Sequence, residues 1–282
     1  MNYSFLRIVI LLALGLPLQA QIAPPSLKLK GLEKEQIAKG LRWYSFLGEQ
    51  LFDSPQSINI LEVNPKKRKV DLLYQSKALQ STSEFAQSVD ALAAINAGFF
   101  NMQQGGSVTF LKKDQEVIHE NQPDLAEKKS VVIEGAFIVL ENQKIQIESP
   151  MITTLYAQNT QYDDVLLSGP LLLEDGNKLA LRENDFAIKR HPRTAACLTR
   201  NNRLLLLTAD GRNAKAAGLS LGELQALMQA MGCKEALNLD GGGSTSMYIK
   251  NQNSGGIVNY PSDNRKFDHA GERKVANAIV IH

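Results

Sequence analysis

The stretch Asn238-Leu239-Asp240-Gly241-Gly242-Gly243-Ser244-Thr245-Ser246 packs a carboxylate, three glycines and three hydroxyls into nine positions. It follows Cys233 to Leu237, an apolar run that reads as a buried strand, so Asp240 falls where the strand stops. Consecutive glycines permit positive φ and let a ligand approach the backbone without a Cβ in the way. A plain turn needs only one or two glycines. The segment reads as a loop that binds an oxyanion or a sugar, with a simple tight turn as the alternative.

Four other places set polar groups at the ends of apolar runs: Asn96 ahead of Gly98, Ser168-Gly169-Pro170, His191-Pro192-Arg193-Thr194 and Asp210-Gly211-Arg212. Each has a structural alternative. Asp-Gly is an ordinary turn signal, Asn96-Ala97-Gly98 can close on an Asx bond, and His191 serves equally as a general acid or base or as a packed capping residue. Together they offer two carboxylates, Asp210 and Asp240, and two guanidinium groups, Arg193 and Arg212. Arginine beside glycine-rich backbone suits a bidentate grip on phosphate. Paired carboxylates suit glycosidic cleavage. An ester joining sugar to phosphate would use both, and its weakly basic leaving oxygen needs charge stabilisation more than protonation.

Other chemistries find less support. Ser244 lacks a nucleophile elbow, since Ser246 stands where a glycine is required. No Gly-Lys-Ser/Thr follows the glycines, and no Cys-x-x-Cys or His-x-x-x-His spacing marks a zinc site. No cofactor is expected, and metal dependence stays open. A net charge of +2 argues against nucleic acid as a partner. The run Lys66-Lys67-Arg68-Lys69 reads as a solvated hairpin tip, and His119 and His269 read as solvated.

The elements that must position these groups are mostly strands. Ser57 to Val63 and Lys69 to Tyr74 flank an Asn64-Pro65 turn and read as a hairpin. Gly31 to Lys39 reads as a short helix, and Thr82-Ser83-Glu84 as the cap of another. Further strands are expected at Val108–Leu111, Val131–Ile133, Ala136–Leu140, Lys144–Ile147, Asp164–Leu167, Leu171–Leu173, Leu204–Thr208 and Val275–Ile281. Leu219 to Met231 repeats apolar residues at helical spacing, with Ser220 as N-cap and Gly232 as stop. The pattern predicts an α+β fold with mixed, mostly antiparallel sheets flanked by helices.

Residues 1–20 carry Arg7, a short apolar stretch from Ile8 to Leu18 and a small-residue cleavage site ending at Ala20. They read as a signal peptide, which predicts export to a periplasmic or extracellular location without stable membrane insertion. Residues 21–54 read as an N-terminal leader and 55–282 as the domain. Cys197 and Cys233 lie in apolar contexts where buried reduced thiols are common, although export would permit them to pair. Oligomeric state is not legible.

The order of motifs resembles the phosphodiester glycosidase family over residues 55–282. It is carried by Ile95-Asn96-Ala97-Gly98-Phe99-Phe100, Ser168-Gly169-Pro170, His191 to Ala195, Ala209 to Arg212, Asn238 to Met247, and Asn277 to Val280. Ala97 stands where relatives commonly have glycine. The resemblance implies hydrolysis of a sugar-1-phosphodiester, with a glycan or glycosyl phosphate as substrate. It points to Asp240 as nucleophile or charge stabiliser, Arg193 as the phosphate holder, and Asp210 or His191 as the proton handler. Substrate-binding positions are Asn96, Gly98, Ser168, Gly169, Arg212, Gly241, Gly242, Gly243, Ser244 and Thr245. A non-catalytic module binding envelope glycan, and a metal-assisted phosphodiesterase using Asp210 and Asp240, are the alternatives.

Overall fold

The computed structural model describes residues 27, 29–49, 51–120, 135–252 and 255–282. The expected signal peptide and the strand at Val131–Ile133 lie outside these residues. In chain order the strands begin with β1 (Glu33–Ala38), β2 (Leu41–Gly48), β3 (Gln56–Val63), β4 (Val70–Tyr74), β5 (Ala93–Asn96), β6 (Leu111–Lys113), β7 (Glu116–His119) and β8 (Gly135–Leu140). They continue with β9 (Ile145–Glu148), β10 (Tyr162–Ser168), β11 (Leu171–Glu174), β12 (Asn177–Lys178), β13 (Arg193–Thr199), β14 (Leu204–Ala209), β15 (Cys233–Asn238), β16 (Met247–Ile249) and β17 (Asn277–Ile281). Among the described residues four α-helices accompany them: α1 (Thr82–Ser88), α2 (Thr153–Gln158), α3 (Asp185–Ile188) and α4 (Leu221–Ala230).

The strands form three sheets, and the ladders pair antiparallel. The largest has the order β1-β2-β3-β14-β13-β15-β11-β12, the second β7-β6-β10-β8-β9, and the third β16-β5-β17-β4. Leu204 to Leu207 explains the layering. A strand that is apolar at every position must be covered on both faces. Leu204 and Leu206 enter a core shared with Ile95 and Ile279 of the third sheet and Phe137 and Leu166 of the second. Leu205 and Leu207 face the other way, onto Leu221, Leu224 and Leu227 of α4. The helix–sheet architecture expected from the sequence is present, with the large sheet as its middle layer.

Helix α4 begins as expected. The Ser220 hydroxyl accepts from the Glu223 N–H while the Glu223 carboxylate accepts from the Ser220 N–H, and Gly232 follows at φ +83°. Helix α1 is capped one residue earlier than expected, by Ser81 in a capping box with Glu84.

Three expectations are corrected. Gly31 to Lys39 is not a helix: β1 pairs with β2, because Ile37 and Ala38 gain more by packing on the core than a short isolated helix would. The segment read as a leader thus contributes two strands to the large sheet. The strands flanking Asn64-Pro65 do not form a hairpin, since β3 pairs with β2 and β14 whereas β4 pairs with β17 in another sheet. The connection crosses between layers, which local turn chemistry cannot reveal. The cysteines are not free: Cys197 and Cys233 form a disulfide joining β13 to β15, with Cα atoms 5.8 Å apart. Cys197 pairs with Ala236 and Cys233 with Thr199, and the register shift between these pairs sits where the two cysteines meet, a relation between residues 36 apart in sequence.

Candidate active site

The glycine loop is tied down from three sides. Asn96, at the end of β5, is fully buried, and its Nδ2 donates to the Asp240 main-chain carbonyl at 2.6 Å. Its Oδ1 accepts from the Thr194 hydroxyl at 2.9 Å and from the Ser246 N–H at 3.1 Å. The Asp240 N–H donates to the Ala97 carbonyl, and the Gly242 N–H to the Pro192 carbonyl. Ser168 and Gly169 brace the strand before the loop, through Ser168 Oγ to the Asn238 carbonyl and Asn238 Nδ2 to the Gly169 carbonyl. The strand-end segments around Asn96, Ser168, Thr194 and Asp240 therefore meet in space.

The glycines admit cations. A Cβ at Gly242, which sits at φ +63°, would come within 3.0 Å of the Arg212 guanidinium. A Cβ at Gly243 would collide with the Arg273 guanidinium and the Asp263 carboxylate. Arg212 is itself held at φ +61°, a conformation a long side chain adopts only when its surroundings impose it. Two guanidinium groups thus rest against one glycine backbone. At Gly98 a Cβ would instead meet the Leu166 side chain, so that glycine serves the packing of two sheets.

Asp240 is half-buried, and its carboxyl pKa is pushed up to about 6. Burial raises it, against the Ser244 hydroxyl, the Arg273 charge and the Gly241 N–H, which favour the anion. Glu272, absent from the sequence-based set, accepts from the Ser246 hydroxyl at 2.9 Å and from the Ser83 N–H at 3.1 Å. Burial raises its pKa as well. Two carboxyl groups held above the usual range therefore flank the loop, one bonded at Ser244 and one at Ser246.

Asp210 lies deeper. It is fully buried at the end of β14, accepting from the Ser57 hydroxyl at 2.6 Å, Asn259 Nδ2 at 2.8 Å and the Tyr260 N–H at 3.0 Å. Burial raises its pKa against those bonds. Asn259 Nδ2 also donates to the Thr245 carbonyl at 3.1 Å, so Asp210 reaches the glycine loop through one amide.

Arg193 does not join the two aspartates. In the β13–β14 register it stands opposite Ala209, which places its side chain on the α4 face and Asp210 on the other. Its Nε donates to the Leu219 carbonyl at 2.9 Å, another nitrogen to the Lys189 carbonyl at 3.1 Å, and the group lies 4.8 Å from the Phe186 ring centroid. Burial and the Arg212 charge lower its pKa to about 10. It is the neighbouring Thr194 that faces Asn96. His191 is half-buried, its pKa lowered by burial and by the Arg193 and Arg212 charges, so its ring is neutral at pH 7. His269 and His119, read as solvated, are both half-buried. His269 bonds the Asn259 carbonyl at 2.7 Å and stacks on Tyr260.

Sequence reasoning missed Glu272, Arg273, Asp263 and Asn259. All lie in the Asn- and Asp-rich stretch from 259 to 273, whose polarity matches a solvated loop. The available signal was its position directly before the buried strand β17. Among the described residues, the one group of three or more metal-ligating side chains with ligand atoms close together is Asp114, Asp163 and Asp164, where Lys113 already bonds Asp114 and Asp164. Asp210 and Asp240 form no such group.

A mostly antiparallel α+β fold thus sets raised-pKa carboxyls and guanidinium groups around one glycine loop. The chain belongs to the phosphodiester glycosidase family, whose profile matches residues 90–282. It is similar to human N-acetylglucosamine-1-phosphodiester alpha-N-acetylglucosaminidase, at 23% identity over 222 residues, covering 72% of this chain and 40% of the human one. Its fold is shared with the catalytic domain of the zebrafish enzyme of that name, solved in a form auto-inhibited by its pro-peptide. That match has TM-score 0.71 and 17% identity and covers 89% of this chain and 87% of the other. A hypothetical protein from Synechocystis gives TM-score 0.64 at 16% identity, covering 89% and 63%. Among the described residues no helix is long and apolar enough to cross a membrane.

Proposed function

We propose that this chain hydrolyses a glycosyl phosphodiester, breaking the bond between the anomeric carbon and a phosphate oxygen. Water adds to the carbon, and the phosphate leaves with the bonding electrons as a phosphomonoester. The observation that carries this reading is the Asp240 carboxyl, held beside Arg273 at a glycine loop against which Arg212 also rests. Asp240 faces the anomeric carbon as nucleophile or charge stabiliser. Arg273 and Arg212 hold the phosphate, the role first assigned to Arg193, whose guanidinium is engaged on carbonyls of the α4 face. Glu272, whose pKa burial raises, and the neutral His191 are the groups placed to move protons. Asp210 positions Asn259 and, through it, the loop.

Export fits the signal peptide expected at residues 1–20 and the Cys197–Cys233 disulfide, which an oxidising compartment preserves. An exopolysaccharide, a teichoic-acid-like polymer or a glycosylated lipid phosphate all provide the required linkage.

The test is a screen of the purified protein against sugar-1-phosphodiesters, with the products identified. Release of free sugar and phosphomonoester, absent in Asp240→Asn and unaffected by chelator, supports the reading. Activity that disappears on chelation and returns with metal would favour the metal-assisted alternative, and glycan binding without turnover the binding module.

A further inference from the structure

A cavity of about 510 Å³ opens between β2 and the loop that carries Tyr260 and His269. Its lining omits Asp240 and both guanidinium groups of the proposed active site. Trp43, Ser45, Ser57 and Asn59 form one wall, all outside residues 90–282 that match the family profile. We propose that this groove binds a neutral pyranose unit of a glycan chain.

Asn59 carries the argument. It is 3% exposed, and its Oδ1 accepts from Trp43 Nε1 at 3.1 Å. An indole N–H only donates, so the orientation of the amide is set and its NH₂ points elsewhere. That NH₂ has no partner among the described residues, although Asn59 lines the groove. The amide opens onto the groove, where water or a ligand accepts from it. Across the groove, His269 Nδ1 lies 2.7 Å from the Asn259 carbonyl, which only accepts. Nδ1 therefore donates to that carbonyl, and Nε2 faces the groove side with no partner among the described residues. The Tyr260 hydroxyl is likewise unpartnered, and the half-buried Trp43 supplies an aromatic surface.

An amide NH₂, an imidazole nitrogen, a hydroxyl and an indole are what a sugar ring engages, through its hydroxyls and its C–H faces. Among the described residues the groove has no lysine or arginine, and its charged side chain is Glu33 at the exposed edge. A phosphate would find no counter-charge there, so the ligand is neutral. The groove also abuts the groups that hold Asp210: Ser57 and Tyr260 line it and donate to that carboxylate. A glycan seated there runs alongside the active-site loop without reaching into it. This binding does not depend on the cleavage reading.

Trp43 is the only tryptophan in the chain, so its emission reports on the groove directly. The full-length protein is titrated with maltotriose, cellotriose and chitotriose, and emission is recorded. At least one trisaccharide is expected to produce a saturable shift. Asn59→Ala should weaken binding about tenfold, as expected for one lost hydrogen bond. Tyr260→Phe, which deletes only an unpartnered hydroxyl, should weaken it about threefold and keeps the test valid should Asn59→Ala not fold. Weaker binding in either folded variant supports the proposal. An unchanged emission with all three sugars to about 10 mM, or full affinity in both folded variants, overturns it. Neither readout involves turnover, so its failure is separate from failure of the hydrolase reading.

Discussion

Asn96 Nδ2 donates to the main-chain carbonyl of Asp240 at 2.6 Å, joining residues 144 apart and two different sheets. The same side chain accepts from Thr194 and Ser246, so one amide fixes the start and the end of the glycine loop. Asn96→Ala would strand a buried carbonyl, a hydroxyl and an N–H. It is expected to cost about 1–3 kcal/mol of stability and to lower kcat. Asn96→Asp loses the donor at pH 7 and should not restore activity. Thermal melts and turnover on a sugar-1-phosphodiester check both.

Asp240→Asn should abolish turnover, by a factor on the order of 10² to 10⁴. In the native protein, activity should rise with pH through about 6 as the carboxyl ionises. Stability runs the other way. A pKa raised on folding stabilises most below the unfolded value, and this contribution is lost as pH rises through about 6. Asp240→Asn removes that dependence, so its melting temperature relative to native should improve between pH 4 and 7. A constant difference across that window would contradict the raised pKa.

Arg193 and Arg273 should separate cleanly. Arg193→Met strips donors from the Leu219 and Lys189 carbonyls and is expected to cost about 2–4 kcal/mol in denaturant unfolding. Arg273→Met leaves the cores intact and should lower kcat/KM with little change in stability. Loss of turnover in a fully stable Arg193→Met would return that residue to the site.

The Cys197–Cys233 bond closes a loop of 36 residues between adjacent strands. The paired variant Cys197→Ala, Cys233→Ala should lose about 2–4 kcal/mol and roughly 5–15 °C in Tm. Added reductant should lower the native protein to a similar value and leave the variant unchanged.

Much of the architecture was legible from local pattern. Leu204 to Leu207 declared a strand covered on both faces, and Ser220 with Gly232 bracketed a helix, because period and capping are properties of neighbouring residues. Asn238 to Ser246 was legible as a loop for the same reason: an apolar strand ending in a carboxylate and three glycines is unusual in itself. Partnership was not legible. Whether β3 pairs with β4 or with β14, and whether Cys197 meets Cys233, depends on register between distant segments. Arg193 shows the limit most plainly. A one-residue offset in a strand decides which face a side chain occupies, so Thr194 reaches Asn96 while Arg193 turns to the helices. Glu272 and Arg273 look in sequence like any solvated loop, and only the folding of that loop over the glycines brings them to Ser246 and Gly243. Composition and spacing determined which chemical groups the chain possesses; the packing of three sheets decided which of them stand together, because side-chain direction and sheet pairing are set by long-range burial.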